Sequence, residues 1–256
     1  MKATHESAVI SYSDKSSIDA RMKIFNSMNE YEATDDEKER SMGLFLRGSL
    51  LARIFAISDI YKQILNVPGV IFDVGTWRGQ TAVICENLRA IFEPLHLNRR
   101  IVCFDTFEGY KGFSVKDKQT NLHCEGTYSV GGEAYAQFLR DLLVLHEKSN
   151  ALGHNNGKHK VIVGDATKTI PQFFVDNPNE CVSLAFFDLN VYDPAAHAFE
   201  NIWPRLVPGG IIAFWQLTRD VIPAEGRFYA EKVLEKYPHK IQRCSTYPGL
   251  CYIQKI

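Results

Sequence analysis

Four carboxylates fall at the ends of apolar runs with strand character: Asp73, Asp105, Asp165 and Asp188. In an open α/β sheet, ligands bind outside the carboxyl ends of the strands, so acids placed there share one crevice. Two glycines sharpen the reading. Gly75-Thr76-Trp77-Arg78-Gly79 follows the apolar run at 70–74 and precedes an amphipathic stretch. A residue without a Cβ lets backbone approach a ligand closely, and the first amides of the following helix then point at it. Asp105 ends the next run, at 101–104, where a carboxylate can accept both hydroxyls of a ribose. Asp165, in Val163-Gly164-Asp165-Ala166, falls near the nucleobase, and Asp188 beside the reacting centre. For any one Asp the competing reading is a helix N-cap. Four in register behind a glycine turn indicate a nucleoside-binding α/β domain.

Positioning those acids requires alternating elements. Strands are expected at 70–74, 101–105, 160–164, 182–187, 210–215, 240–244 and 249–254, with helices at 80–93, 133–147, 169–176, 194–206 and 225–236. Strand–helix alternation implies a doubly wound, mostly parallel seven-stranded sheet of Rossmann-like α/β class. The last two strands are joined by Tyr247-Pro248-Gly249, too short for a helical crossover, so they form a C-terminal antiparallel hairpin. A helix over 44–65 stops at Pro68-Gly69. Residues 1–43, polar and charged, read as an N-terminal arm or helical lid, and 44–256 as the main domain. The irregular segment 107–132 reads as a lid loop over the sheet's carboxyl edge.

The 256 residues are 45% hydrophobic with a formal net charge of −1, which suits one large domain. No basic stripe marks a nucleic-acid partner, and no apolar run is long enough to span a membrane. The six cysteines show no C-x-x-C pairing, and reduced, packed thiols are the expectation. These features predict a cytoplasmic protein acting on a small molecule, and they leave a homo-oligomer open. A nicotinamide site fits poorly: it expects G-x-G-x-x-G and an acid about 20 residues onward.

The chain resembles class I S-adenosylmethionine-dependent methyltransferases, and within them the macrocin O-methyltransferase-like family, over roughly 44–256. The matching phrases are Phe72-Asp73-Val74-Gly75-Thr76-Trp77-Arg78-Gly79, Phe104-Asp105-Thr106-Phe107-Glu108-Gly109-Tyr110 and Gly164-Asp165-Ala166 before Ile170-Pro171. Phe187-Asp188-Leu189-Asn190-Val191-Tyr192-Asp193-Pro194 and Trp203-Pro204-Arg205-Leu206-Val207-Pro208-Gly209-Gly210 complete the set. The resemblance implies S-adenosylmethionine as cofactor and a sugar or other small natural-product hydroxyl as acceptor. It implies cofactor contacts from Asp73, Gly75, Arg78, Asp105 and Asp165, with Thr76, Trp77, Gly79, Thr106, Phe107 and Ala166 in the same turns. Substrate contacts are expected from Tyr192, Trp215 and Glu225, and Asp188 carries over as the metal ligand or base.

One departure bears on mechanism. Where the family carries an acidic pair completing a Mg²⁺ site, this chain reads Trp215-Gln216, and a second acid of the preceding motif is Asn190. Magnesium takes hard oxygen ligands, and an indole offers only an N–H. The expectation is catalysis without an essential metal, with Asp188 as base. Trp215 then becomes an apolar wall or a cation–π partner for the sulfonium; the competing reading is a filled hole in a protein that binds the cofactor without methyl transfer. Trp77 reads as shaping the methionine pocket, Phe107 as flanking the adenine or packing in the core, and Glu225 as a substrate contact or an exposed first-turn acid. His123 and His154, in polar loops, read as surface histidines within reach of the cleft, and His197 as structural.

Overall fold

The computed structural model describes residues 14–121, 123–150 and 157–256. It separates into two units, one ending at Arg53 and one running from Ile54 to Ile256. In the first unit, α1 (Lys15–Glu30) starts where Asp14 accepts from the Ser17 N–H at 2.7 Å. Helix α2 (Asp35–Ser41) starts in a capping box of Thr34 and Glu37. Neither helix buries a residue. Helix α3 (Gly48–Gln63) bridges the unit boundary, and only its second half, from Ala56, is buried.

The second unit holds a seven-stranded sheet, ordered β3-β2-β1-β4-β5-β7-β6. Its strands are β1 (Val70–Val74), β2 (Ile101–Asp105), β3 (Lys160–Val163), β4 (Val182–Phe187), β5 (Leu206–Phe214), β6 (His239–Arg243) and β7 (Cys251–Lys255). The first five pair in parallel, and β7 runs antiparallel to both β5 and β6. Side chains alternate between two cores, as a period of two requires. Val70, Phe72 and Val74 enter one, while Ile71 enters the other. The first core is covered by α6 (Ala166–Asp176), α7 (Tyr192–Ile202) and α8 (Ala224–Phe228); the second by α3, α4 (Gln80–Phe92) and α5 (Glu133–Asn150).

The expected doubly wound sheet with its C-terminal hairpin is the observed one. Differences lie at element ends. β5 begins at Leu206, four residues before the expected start, and carries Pro208 and Gly209 through an irregularity in its pairing with β4. Helix α8 gives way to a π-helical turn over Tyr229–Val233 in place of one long helix.

Candidate active site

The chain crosses from one side of the sheet to the other between β1 and β4, where such folds open a crevice at their carboxyl edge. Strand ends lock the crevice floor: the Gly75 N–H donates to the Phe104 carbonyl at 2.9 Å, and the Asp188 N–H to the Val74 carbonyl at 2.9 Å. Gly75 has φ +83°, and a Cβ there would sit 2.6 Å from the Asp188 carbonyl oxygen. Only glycine fits. Gly79, at φ +79°, starts α4, and a Cβ would meet the Leu139 side chain at 2.3 Å.

Asp105 organises the turn above. Its Oδ2 accepts from the Trp77 N–H at 2.7 Å and its Oδ1 from the Phe107 N–H at 2.6 Å. Both donors sit in left-handed backbone, at φ +50° and +55°, a conformation costly for bulky residues and persistent only where surroundings enforce it. Burial raises the Asp105 carboxyl above its usual range, and those two amides pull the other way. The Trp77 ring is 43% exposed, edge-on to Tyr128, with the Arg78 guanidinium 5.2 Å from its centre. Thr76 bonds the Asp73 carbonyl at 2.7 Å, and Thr106 that of Gly109 at 3.1 Å. Asp73 itself is buried within β1.

Sequence alone left Phe107 between two readings. Its side chain is packed in the core beside Tyr135, while its carbonyl accepts the N–H groups of Val130, Gly131 and Gly132. Asp165 serves as N-cap of α6: Oδ1 accepts the Thr167 N–H at 2.9 Å and its hydroxyl at 2.8 Å. Ala166 is the buried first residue of that helix.

Around Asp188 the loop and the sheet converge. Asn190, at φ +60°, donates through Nδ2 to Asp188 Oδ1 and to the Tyr110 hydroxyl, each at 3.0 Å. Burial, then the Asp188 charge, push the Tyr110 phenol well above its ordinary value. His123 is 1% exposed, so the surface expectation fails there: Nε2 lies 2.7 Å from the Asn190 carbonyl and Nδ1 3.0 Å from that of Lys118. His123 thus ties the 107–132 loop to the residue that holds Asp188. His197 is exposed on α7, bonded to its own helix at the Asp193 carbonyl; His154 lies outside the described residues.

The three expected substrate contacts sit deeper than the sequence suggested. Trp215 is 1% exposed, stacked on Phe186 and edge-on to Tyr247, so its faces are committed to the core. The Tyr192 hydroxyl bonds Glu231 at 2.7 Å and Lys116 at 2.9 Å, joining α7 to the loop. Glu225, 0% exposed, is inserted rather than displayed: its Oε2 accepts the Gln216 N–H at 2.8 Å. Burial and the neighbouring Asp188 push its carboxyl well above the usual range. Sequence reasoning gave no role to Tyr128; it quoted Tyr110 only within a family phrase and Gln216 only as a departure from the family's acidic pair.

This donor set does not fit the magnesium site of the family it resembles. Asp188 meets a donating amide from Asn190, Trp215 turns an indole into the core, and Gln216 is a neutral amide. Asp188 is then the one carboxylate at those motif positions, where an octahedral ion usually takes hard anionic ligands. Among the described residues no group of three or more His, Cys, Asp or Glu is placed to hold a metal. The nucleoside end fits better: strand-end Asp105, two left-handed glycines and the α4 amides suit a ribose and its attached amino acid.

A parallel sheet reversed at β1/β4 and closed by an antiparallel β7 defines a class I methyltransferase architecture. Comparison with known proteins carries the assignment further. A family model described as "Methyltransferase domain" matches residues 72–214. The chain belongs to that methyltransferase-domain family, whose cofactor is S-adenosylmethionine. It is 25% identical over 158 residues to 8-demethyl-8-(2,3-dimethoxy-alpha-L-rhamnosyl)-tetracenomycin-C 4'-O-methyltransferase of Streptomyces olivaceus, 57% of this chain and 52% of that protein. The chain therefore matches only about half the length of that curated relative.

Two solved structures of CalS11 align over nearly the whole chain. One, a calicheamicin methyltransferase, is 28% identical, covers 94% of this chain and 93% of its own, and has a TM-score of 0.88. The other, the apo form described as TDP-rhamnose 3'-O-methyltransferase, is 27% identical, covers 94% of this chain and 95% of its own, and has a TM-score of 0.80. The O-methyltransferase NovP, at 16% identity and TM-score 0.60 over 80% and 79%, shares the fold. No single helix among the described residues is long and apolar enough to cross a membrane.

Proposed function

We propose that this protein is an S-adenosylmethionine-dependent O-methyltransferase acting on a hydroxyl of a sugar or other small natural-product intermediate, without an essential metal. The observation that carries it is the near-full-length similarity to CalS11, described as a TDP-rhamnose 3'-O-methyltransferase, together with Asp188 at the end of β4. The Streptomyces relative, named for a 4'-O-methylation, supports the same substrate class.

When bound, S-adenosylmethionine supplies an electrophilic methyl group on a sulfonium. Asp105, held by the Trp77 and Phe107 amides, would accept the ribose hydroxyls. Asp73, Gly75, Thr76, Arg78 and Gly79 would hold the methionine end, with Thr106, Asp165 and Ala166 toward the adenine. Asp188, oriented by Asn190, would take the proton of the acceptor hydroxyl. The loop at 107–132, tied down by His123 and Lys116, closes over the acceptor.

Purified protein would be incubated with S-adenosylmethionine and a panel of nucleotide-linked and glycosidic deoxysugars, and S-adenosylhomocysteine and methyl ethers measured by mass spectrometry. Turnover should survive EDTA and vanish in Asp188→Ala. Cofactor binding without any methylated product would leave a binding protein and defeat the proposal. Turnover abolished by EDTA and restored by Mg²⁺ would defeat its metal-free part.

A further inference from the structure

Helix α7 starts at Tyr192, four residues after Asp188, and its N-cap residue, Val191, makes no side-chain cap. The neighbouring α6 differs, being capped by its own Asp165. For α7 the missing acceptor comes from the 107–132 loop. Asp117 Oδ1 accepts the Tyr192 N–H, the first amide of the helix, at 2.8 Å across 75 positions of sequence. Oδ2 of the same carboxylate accepts the Ser114 N–H at 2.9 Å and its hydroxyl at 3.2 Å, which shapes the tip of the loop. Lys116 docks beside it. Its Nζ donates to Glu231 at 2.7 Å and to the Tyr192 hydroxyl at 2.9 Å, and its carbonyl accepts from Arg227 Nη1 at 3.0 Å.

Neck and tip of the loop are held by different means. At the neck the Phe107 carbonyl accepts three N–H groups, and Tyr110 exchanges backbone bonds with Gly126 and Thr127 at 2.9 and 3.0 Å. A Cβ at Gly109 would lie 2.4 Å from the Thr127 carbonyl oxygen, so the two arms cross in contact. The tip instead docks through long polar side chains, Lys116 being 33% and Glu231 38% exposed, and Val115 at its crest is fully exposed. Segments with few buried apolar contacts and exposed bonds open at the lowest cost. The tip is therefore the part that lifts while the neck stays shut.

We propose that residues 114–117 form a latch and that Asp117 is a positioning residue for the base. Docked, its carboxylate fixes the start of α7 and with it the turn at 188–191 that carries Asp188. Lifted, it opens the acceptor's way in and leaves that turn unsupported. The proposal rests on the reading given above of Asp188 as base and of 107–132 as the acceptor's lid. The link is short. Three residues separate Asp188 from Tyr192, and the middle one, Asn190, is left-handed at φ +60° while its side-chain amide donates to Asp188 Oδ1 at 3.0 Å. A costly backbone conformation persists only where its surroundings enforce it. The Asp188 N–H, on the Val74 carbonyl, holds one end of the turn, and the Tyr192 N–H, on Asp117, holds the other. His123, from the same loop, adds a bond to the Asn190 carbonyl at 2.7 Å. Closing the lid and aiming the base are thus one event, so the base is set only when the acceptor is covered.

Hydrogen exchange read by mass spectrometry, on the full chain saturated with S-adenosylhomocysteine and without acceptor, tests the link. Asp117→Ala should speed exchange at 188–193 by about tenfold or more and leave β4, at 182–187, unchanged. Lys116→Met should open the tip, as should about 1 M NaCl, where the screening length falls to about 3 Å. Either should speed exchange at 114–117 and 188–193 together. With the acceptor that the sugar panel selects, Asp117→Ala should lower kcat by about tenfold or more while cofactor affinity stays within about threefold. Asp117→Asn keeps an oxygen for the Tyr192 amide and should recover most of kcat. Unchanged exchange at 188–193 in Asp117→Ala would overturn the latch, as would a tip that opens at high salt without those residues. So would faster exchange spread equally over β4 and α6 with a lowered melting temperature, or no recovery of kcat in Asp117→Asn. Because the exchange experiment needs no acceptor, its failure is separable from failure of the sugar assignment.

Discussion

At the scale of single residues, Asp105 holds the Trp77 and Phe107 amides in left-handed turns, and the function proposed above gives it the ribose hydroxyls as well. Asp105→Ala should weaken S-adenosylmethionine binding by about 1–3 kcal/mol, roughly ten- to a hundredfold, the scale of losing charge-assisted hydrogen bonds. Melting temperature should also fall, since two amides lose their acceptor. Calorimetric titration with an unchanged dissociation constant would remove Asp105 from the cofactor site. The acid itself was legible, because a carboxylate at a strand end is a pattern of residue types. Its amide partners were not, because nothing in the letters Trp77 and Phe107 announces a positive φ. Glu225 read as a substrate contact or an exposed first-turn acid for a similar reason: its burial follows from how closely Gly226 approaches residue 217, a tertiary fact. Trp215 was recognised as a departure, yet its partners Phe186 and Tyr247 lie 29 and 32 positions away, and only the fold stacks them.

At the scale of elements, the sheet was legible because alternation and apolar runs are local signals. Element ends were less so. Pro208 and Gly209 disguise the first half of β5, where pairing with β4 is irregular, and the π-helical turn after α8 has no composition that marks it. Charged side chains that pin elements together also escape a local reading. In α4, Glu86 is fully buried and takes both Arg89 bonds at 2.7 Å, with His159, just before β3, donating from Nε2 at 2.9 Å. The Ile101 N–H occupies the other ring nitrogen at 3.0 Å, which fixes that tautomer. Burial alone would raise the Glu86 carboxyl, but Arg89 and His159 hold it down at about 2, against an ordinary 4.5. A depressed carboxyl stabilises the fold above its unfolded value, and that contribution is lost as pH falls through the folded one. The protein should therefore shed roughly 3 kcal/mol between pH 4.5 and 2 from this group. Glu86→Gln should be less stable at neutral pH by about 3–5 kcal/mol, because Arg89 keeps a buried charge without its partner. Its stability should also change less across the acid window. Denaturant melts at stepped pH provide the check; parallel curves for the two proteins would mean that Glu86 is not the acid-sensitive group.

At the scale of the whole molecule, burial and family match both place the folding unit after the N-terminal segment. Helices α1 and α2 bury no residue, and the methyltransferase-domain match spans 72–214. Stability follows buried apolar surface, so a chain shortened to begin at Arg47 keeps every residue of the two cores. It should unfold cooperatively with a change below about 1 kcal/mol, the range for losing exposed structure. Its affinity for S-adenosylmethionine should stay within about threefold, since Gly75, Gly79, Asp105 and Asp165 are all retained. Thermal melts and cofactor titration on the same shortened protein check both expectations. A large loss of stability would make the segment part of the folding unit, and a large loss of affinity would give it a part in holding the cofactor.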